Sequence, residues 1–121
     1  MKLGLDEVRP AVVAIDLHRG HLDMEVATLP APADLAKRVV AANREFNARC
    51  RALAIPIIHV VSQYRDASET AGNPVWRTKA DQAGDTRKNQ FRHNLAGSPG
   101  TEIMPGLYAD GDLLIDSKKR K

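Results

Sequence analysis

Two residues that can do chemistry together stand near opposite ends of this sequence, each just after an apolar run. Asp16 closes Ala11-Val-Val-Ala-Ile15, and Lys118 follows Leu113-Leu-Ile115 across Asp116 and Ser117. In an open parallel α/β sheet, ligands bind beyond the carboxyl ends of the strands. An acid and a lysine arriving there form a charge pair able to tune a nucleophile. Gln63, just past the run that ends at Val61, reaches the same edge and is a candidate substrate contact. Each residue taken singly also has an ordinary role: an aspartate after a strand hydrogen-bonds its loop, and a run of lysines is a solvated face.

Other polar residues invite a chemical reading. His18 and His21, spaced i, i+3 beside Asp16, suggest a metal, but no third ligand stands at a recognisable spacing, so no metal is expected. His59 lies within an apolar run and reads as a satisfied core histidine. Arg87, Arg92, His93 and Asn94 fall in one long polar connection, where they reach a polar substrate or form a subunit contact; Arg92 is taken as the candidate substrate ligand. Trp76, the single tryptophan, reads as an interface anchor or a lid over the pocket, hence a third candidate contact. The lone Cys50 falls in a helical pattern on the face of Phe46 and Leu53, where apolar surroundings bury a thiol and raise its pKa.

The elements that must position these residues follow from periodicity. Ala11–Ile15, rich in β-branched residues, reads as a buried strand. After Leu29-Pro-Ala-Pro32, Asp34 is placed to cap a helix carrying Leu35, Val39, Phe46, Cys50 and Leu53. That helix must stop before Pro56, where Ile55-Pro-Ile-Ile-His-Val-Val61 starts a second strand. Strand, helix, strand at this distance is a βαβ unit with a right-handed crossover. Residues 63–100 are polar and rich in Gly and Pro, and a connection of that length in a compact domain is functional or a partner contact. Gly111-Asp112 then opens a third strand at Leu113-Leu-Ile115.

The sum is an α/β chain with a layer missing. Strands apolar on both faces belong to a parallel sheet covered on both sides, and one long helix plus an irregular segment covers only one. The 121 residues, 43% hydrophobic and 27% charged, make one small soluble domain or part of one. The formal charge of +3 comes from the C-terminus: Lys118, Lys119, Arg120 and Lys121 supply four of the 18 basic side chains, and without them the 15 acids prevail by one. A distributed nucleic-acid-binding face is thereby excluded. One cysteine excludes an internal disulfide and a thiolate-rich zinc site. With an apolar first run too short for a signal or a membrane span, a reducing, cytoplasmic compartment is expected.

In order and spacing, Ala11-Val-Val-Ala-Ile-Asp16-Leu-His-Arg-Gly, Ala54-Ile-Pro-Ile-Ile-His-Val-Val61, Gly97-Ser-Pro-Gly-Thr-Glu-Ile-Met-Pro105 and Gly111-Asp-Leu-Leu-Ile-Asp-Ser-Lys118-Lys-Arg120 resemble the front part of an isochorismatase-like cysteine hydrolase, a family that includes nicotinamidases, N-carbamoylsarcosine amidases and biuret hydrolases. The resemblance implies a doubly wound, Rossmann-like parallel sheet in a three-layer sandwich, incomplete in this chain. It makes residues 1–121 the N-terminal part of a single domain. It places the catalytic acid at Asp16 and the catalytic lysine at Lys118, with Lys119 as the alternative register. The family's nucleophilic cysteine falls beyond residue 121, so the resemblance implies a second polypeptide or a missing C-terminal segment that carries it, a small amide as substrate, no cofactor, and a homo-oligomer of the completed unit. The Asp-x-His metal motif of the nicotinamidase branch is not found in the loop after the first strand.

Three other readings compete. A catalytically silent subunit that keeps the fold for binding or regulation differs from the hydrolase only in whether a companion supplies the cysteine. A small α/β domain with a nucleic-acid-binding tail is disfavoured, because the tail follows a buried strand directly and no aromatic residue is interleaved with its charges. A phosphotransfer domain using Asp16 lacks the neighbouring acid that would hold magnesium.

Overall fold

The computed structural model describes Gly4, residues 7–72, Pro74 and residues 92–118, with Ser117 and Lys118 described by backbone alone. Strand β1 (Val12–Ile15) leads through the one-turn helix α1 (Arg19–Leu22) to the long helix α2 (Ala33–Ala52). Strand β2 (Ile57–Ser62), the short helix α3 (Ala67–Ala71), a 3-10 turn (Pro99–Thr101) and strand β3 (Leu113–Lys118) follow. The three strands form one parallel sheet in the order β1-β2-β3, as the apolar runs predict. Both crossovers lie on the same side of β1 in strand order, so among the described residues β1 is an edge strand. That order is one half of a doubly wound sheet, whose second half starts beside its first strand.

The register explains the burial. Val13, Ile58 and Leu113 stand in one row across the sheet, and Ile15, Val60 and Ile115 in the next. Side chains alternate along a strand, so these six apolar residues share a face. The intervening residues Ala14, Ile57, His59 and Val61 are buried on the other face, where α2 packs against β2. Among the described residues nothing packs fully over the first face: Val13, Ile15, Leu113 and Ile115 are each about half exposed, at 56%, 54%, 58% and 49%. The missing layer inferred from two-sided apolar strands is therefore visible as an uncovered sheet.

Three details differ from the sequence reading. Helix α2 starts at Ala33 with Pro32 at the cap, so Asp34 sits inside the first turn, where its charge still favours the helix dipole. Cys50 is buried, but Phe46 and Leu53 are exposed. The packed stripe is Ala36, Val40, Asn43, Asn47 and Cys50, and its polar members hide it from a hydrophobicity pattern. Asn47 belongs there because its Nδ2 donates to the carbonyl of Leu107. Strand β3 also runs past Ile115, since ladder hydrogen bonds do not require apolar side chains.

His59 is a core histidine, and its partner lies on the segment before β3. Its Nε2 is 3.0 Å from Asp112 Oδ2, while Arg51 donates to both Asp112 oxygens and to the Leu107 carbonyl. Arg51 above all, then His59 and the Ala109 N–H, hold the Asp112 carboxyl below its ordinary 3.8, against the opposing effect of burial. A carboxyl with a lower pKa when folded stabilises the fold above its unfolded pKa and stops doing so as the pH falls through the folded one. Asp112→Ala is expected to cost about 1–3 kcal/mol at neutral pH, because it leaves the half-buried Arg51 and the buried His59 without their shared acceptor. Urea denaturation should show the gap from the parent protein narrowing below pH 3.8.

Candidate active site

Asp16 ends β1 in left-handed backbone, with φ 58°. Few residues other than glycine adopt that conformation, aspartate and asparagine most readily, and such strain concentrates at functional sites. It is held there on both sides: its N–H donates to the Val60 carbonyl at 2.9 Å, and its Oδ1 accepts from Ser62 Oγ at 2.9 Å. Ser62 is the last residue of β2, and Lys118 is its register partner on β3. An irregularity between Val60 and Ser62 inserts one extra β3 residue, which sets Lys118 rather than Ser117 opposite Ser62. Bulges of this kind gather at sheet margins and beside active sites. Asp16, Ser62 and the backbone of Lys118 thus lie side by side at the carboxyl edge.

Gln63 follows Ser62 directly and is half-buried at this edge. Arg92 is exposed, on the returning segment that leads into the site. Trp76, Arg87 and Lys119 lie outside the described residues. The spacing of residues in the sequence did not reveal what that returning segment does next. Tyr64 N–H donates to the Asn94 carbonyl and Ala96 N–H to the Tyr64 carbonyl, so residues 94–96 run beside the continuation of β2. Asn94, in left-handed backbone at φ 48°, thereby drives its side chain inward. Its Nδ2 donates to the Ser62 carbonyl at 2.9 Å and lies 3.0 Å from His18 Nε2.

His93 is carried in by the same turn. Its ring lies 4.7 Å from that of His21 and 5.7 Å from that of His18, and the His18 and His21 rings stack at 4.6 Å. His18 is fully buried, His93 is buried and His21 half-buried. The third histidine that spacing fails to supply is therefore supplied by the fold. Burial first, then the proximity of His21 and His18, pushes His93 from 6.5 down to about 3, against the pull of Asp16. It is a neutral imidazole at physiological pH. His18 Nε2 lies 3.8 Å from Asp16 Oδ1, which joins the cluster to the acid.

Two backbone clasps position this group. Arg19 N–H donates to the Glu102 carbonyl and Met104 N–H to the Leu17 carbonyl, tying the Gly97–Pro105 turn cluster to the loop after β1. Gly20 makes the close approach possible. A Cβ there would lie 2.1 Å from Asn94 Oδ1 and 3.0 Å from the Gly100 carbonyl. Gly20→Ala is expected to destabilise the protein by about 1–3 kcal/mol through overpacking, read as a lowered Tm in a thermal melt.

A parallel sheet in the order β1-β2-β3, with Asp16 at the carboxyl end of β1 and Lys118 at that of β3, is an α/β fold of the doubly wound kind. No protein-family model matches the chain, and no curated protein sequence matches it. Solved structures do. An isochorismatase family protein from Desulfovibrio vulgaris subsp. vulgaris str. Hildenborough superposes with a TM-score of 0.59 at 24% identity, covering 89% of this chain and 52% of that one. A cysteine hydrolase from Pseudomonas syringae pv. phaseolicola 1448A superposes with a TM-score of 0.58 at 16% identity, covering 93% and 48%. The chain has the isochorismatase-like fold expected from its motifs, and it spans about half the length of the structures it matches. Among the described residues no helix is long and apolar enough to cross a membrane.

Proposed function

We propose that residues 1–121 are the acid- and lysine-bearing part of a cysteine hydrolase that cleaves a small amide or ureido C–N bond. The observation that carries this reading is Asp16, strained at the carboxyl edge, anchored by Ser62 and set one strand from the Lys118 backbone. The fold shared with a cysteine hydrolase supports it. The nucleophile is a cysteine outside this segment. Cys50 is buried in the last turn of α2, in the packed interior rather than at the ligand edge, and does not serve.

In this mechanism Asp16 accepts the thiol proton as general base, and Lys118 favours thiolate and carboxylate by its charge. The thiolate adds to the amide carbon, and the oxyanion is held by backbone N–H groups of the completing segment. Asp16 returns the proton to the departing nitrogen as the C–N bond breaks, so ammonia or an amine leaves. Water, deprotonated by Asp16, then attacks the thioester. It releases the acid and restores the thiol. Gln63, Arg92 and Trp76 are the proposed substrate contacts, and the completed unit is a homo-oligomer that needs no nucleic acid or membrane.

The further polypeptide that completes the sheet comes from the same chain or from a companion. The test is to assay the completed protein against a panel of small amides and ureas for release of ammonia or amine, beside residues 1–121 alone. Hydrolysis that requires the completing segment and disappears in Asp16→Asn is expected. Completed protein that hydrolyses none of the panel, or that is indifferent to Asp16→Asn, overturns the assignment.

A further inference from the structure

We propose that His18, His21 and His93 form a binding site for one divalent transition-metal ion of the imidazole-preferring class, zinc or cobalt. Each ring offers a nitrogen, and the three nitrogens lie within 4.8 Å of one another. The site goes beyond the hydrolase reading and does not rest on it. No step of that mechanism uses these histidines.

The outer contacts of two of the rings, His21 and His93, are those of metal ligands. A metal-bound histidine donates its other ring N–H to a carbonyl, carboxylate or hydroxyl, which fixes the ring and directs the remaining lone pair at the ion. His21 Nδ1 is 2.8 Å from the Leu29 carbonyl. A carbonyl only accepts, so Nδ1 carries the hydrogen and Nε2 is the lone-pair nitrogen. His93 Nδ1 is 2.8 Å from Thr28 Oγ1, and a hydrogen on Nδ1 there sets its Nε2 free in the same way. Neighbouring residues 28 and 29 thus orient two rings from opposite ends of the sequence. His18 comes from the fully buried end of the cluster, where its Nε2 accepts from the Asn94 amide at 3.0 Å, a hydrogen bond that the ion must displace to take the ring's lone pair.

The donor set selects the ion. Three imidazoles without a carboxylate or thiolate among them suit zinc, cobalt and nickel, and disfavour magnesium and calcium, which take oxygen ligands. Three protein ligands also leave a coordination position for water or substrate, as in open zinc sites. Asp16 Oδ1 lies 3.8 Å from His18 Nε2, at the margin of the cluster. Metal–nitrogen bonds of about 2.0–2.1 Å require the rings to close in. His21 is the half-buried member of the three, on a one-turn helix.

The probe is the metal alone. Tag-free protein at neutral pH is titrated with Co2+ and then competed with Zn2+, the readouts being visible d–d absorption and bound metal per chain. One equivalent with nitrogen-ligand bands is expected. Because His18 is fully buried, the variants are His21→Ala, expected to weaken binding by more than about 100-fold, and Thr28→Val, expected to weaken it about 10- to 100-fold as an outer-contact loss. Circular dichroism establishes that each is folded. The remaining histidine, His59, is bound to Asp112 and gives no competing site. Absence of d–d bands in the parent protein overturns the site, as does unchanged affinity in folded His21→Ala. None of these readouts is hydrolysis, so an inactive protein that binds cobalt refutes the hydrolase and leaves the metal site standing.

Discussion

Asp16→Asn is expected to lower turnover of the completed hydrolase by about 10²- to 10⁴-fold, the range for loss of a positioned general base. The substitution is chosen because it isolates the chemistry. Asparagine tolerates the left-handed backbone at φ 58° as well as aspartate does, and its amide oxygen still accepts from Ser62 Oγ. Geometry is kept while basicity is lost. Asp16→Ala would confound the two, since alanine pays the backbone strain without the side-chain hydrogen bond. The expected signature is a collapse of kcat, little change in KM and a Tm within a few degrees of the parent. Ser62→Ala, which removes only the positioning hydrogen bond, should give a smaller loss. A folded Asp16→Asn protein that keeps a tenth of its turnover would mean that Asp16 is the loop hydrogen-bonder that a post-strand aspartate ordinarily is.

The parts of the fold legible in the sequence were those written in local periodicity. Ala11–Ile15, Ile57–Val61 and Leu113–Ile115 are continuous and β-branched, and each became a strand of one parallel sheet. The missing layer was legible for the same reason, because residues apolar at every position demand cover on two sides. The edge that carries Asp16 followed from the rule for open sheets. What local patterns could not show was set by long-range returns of the chain. Asn94 and His93 enter the site only because the turn after residue 91 pairs its backbone with Tyr64, and nothing in the spacing of His18 and His21 points to a third ring so far downstream. The same holds for Asp112, which looked like a turn residue opening β3 and proves to anchor both Arg51 and His59. Helix α2 misled in the opposite sense. Its large apolar residues Leu35, Val39, Phe46 and Leu53 are exposed, while Asn47 is buried. Asn47 is buried because it bonds the Leu107 carbonyl, and in the completed domain proposed above the exposed side of α2 has something to meet.

That reasoning sets the second large effect. In the completed domain, lysine at position 13 or 113 is expected to weaken association with the completing segment by more than 100-fold, or to destabilise a single-chain form by more than about 3 kcal/mol. Val13 and Leu113 share the bare face of the sheet, and covering it would bury an ammonium without a partner, at a cost of several kcal/mol. In residues 1–121 alone the same substitutions meet water and should change stability by no more than about 0.5 kcal/mol. Val8, 65% exposed and outside the sheet, supplies the control, since Val8→Lys should be neutral in both contexts. The lone segment should also bind a hydrophobic dye and self-associate, because the open face and the free β1 edge invite both. Covering Val13, Ile15, Leu113 and Ile115, each already half-buried, adds roughly 1 kcal/mol apiece, enough to turn a marginal segment into a cooperative fold. If Val13→Lys and Leu113→Lys are as harmless in the completed protein as in the segment, the bare face is a true surface, and the completing polypeptide must dock elsewhere.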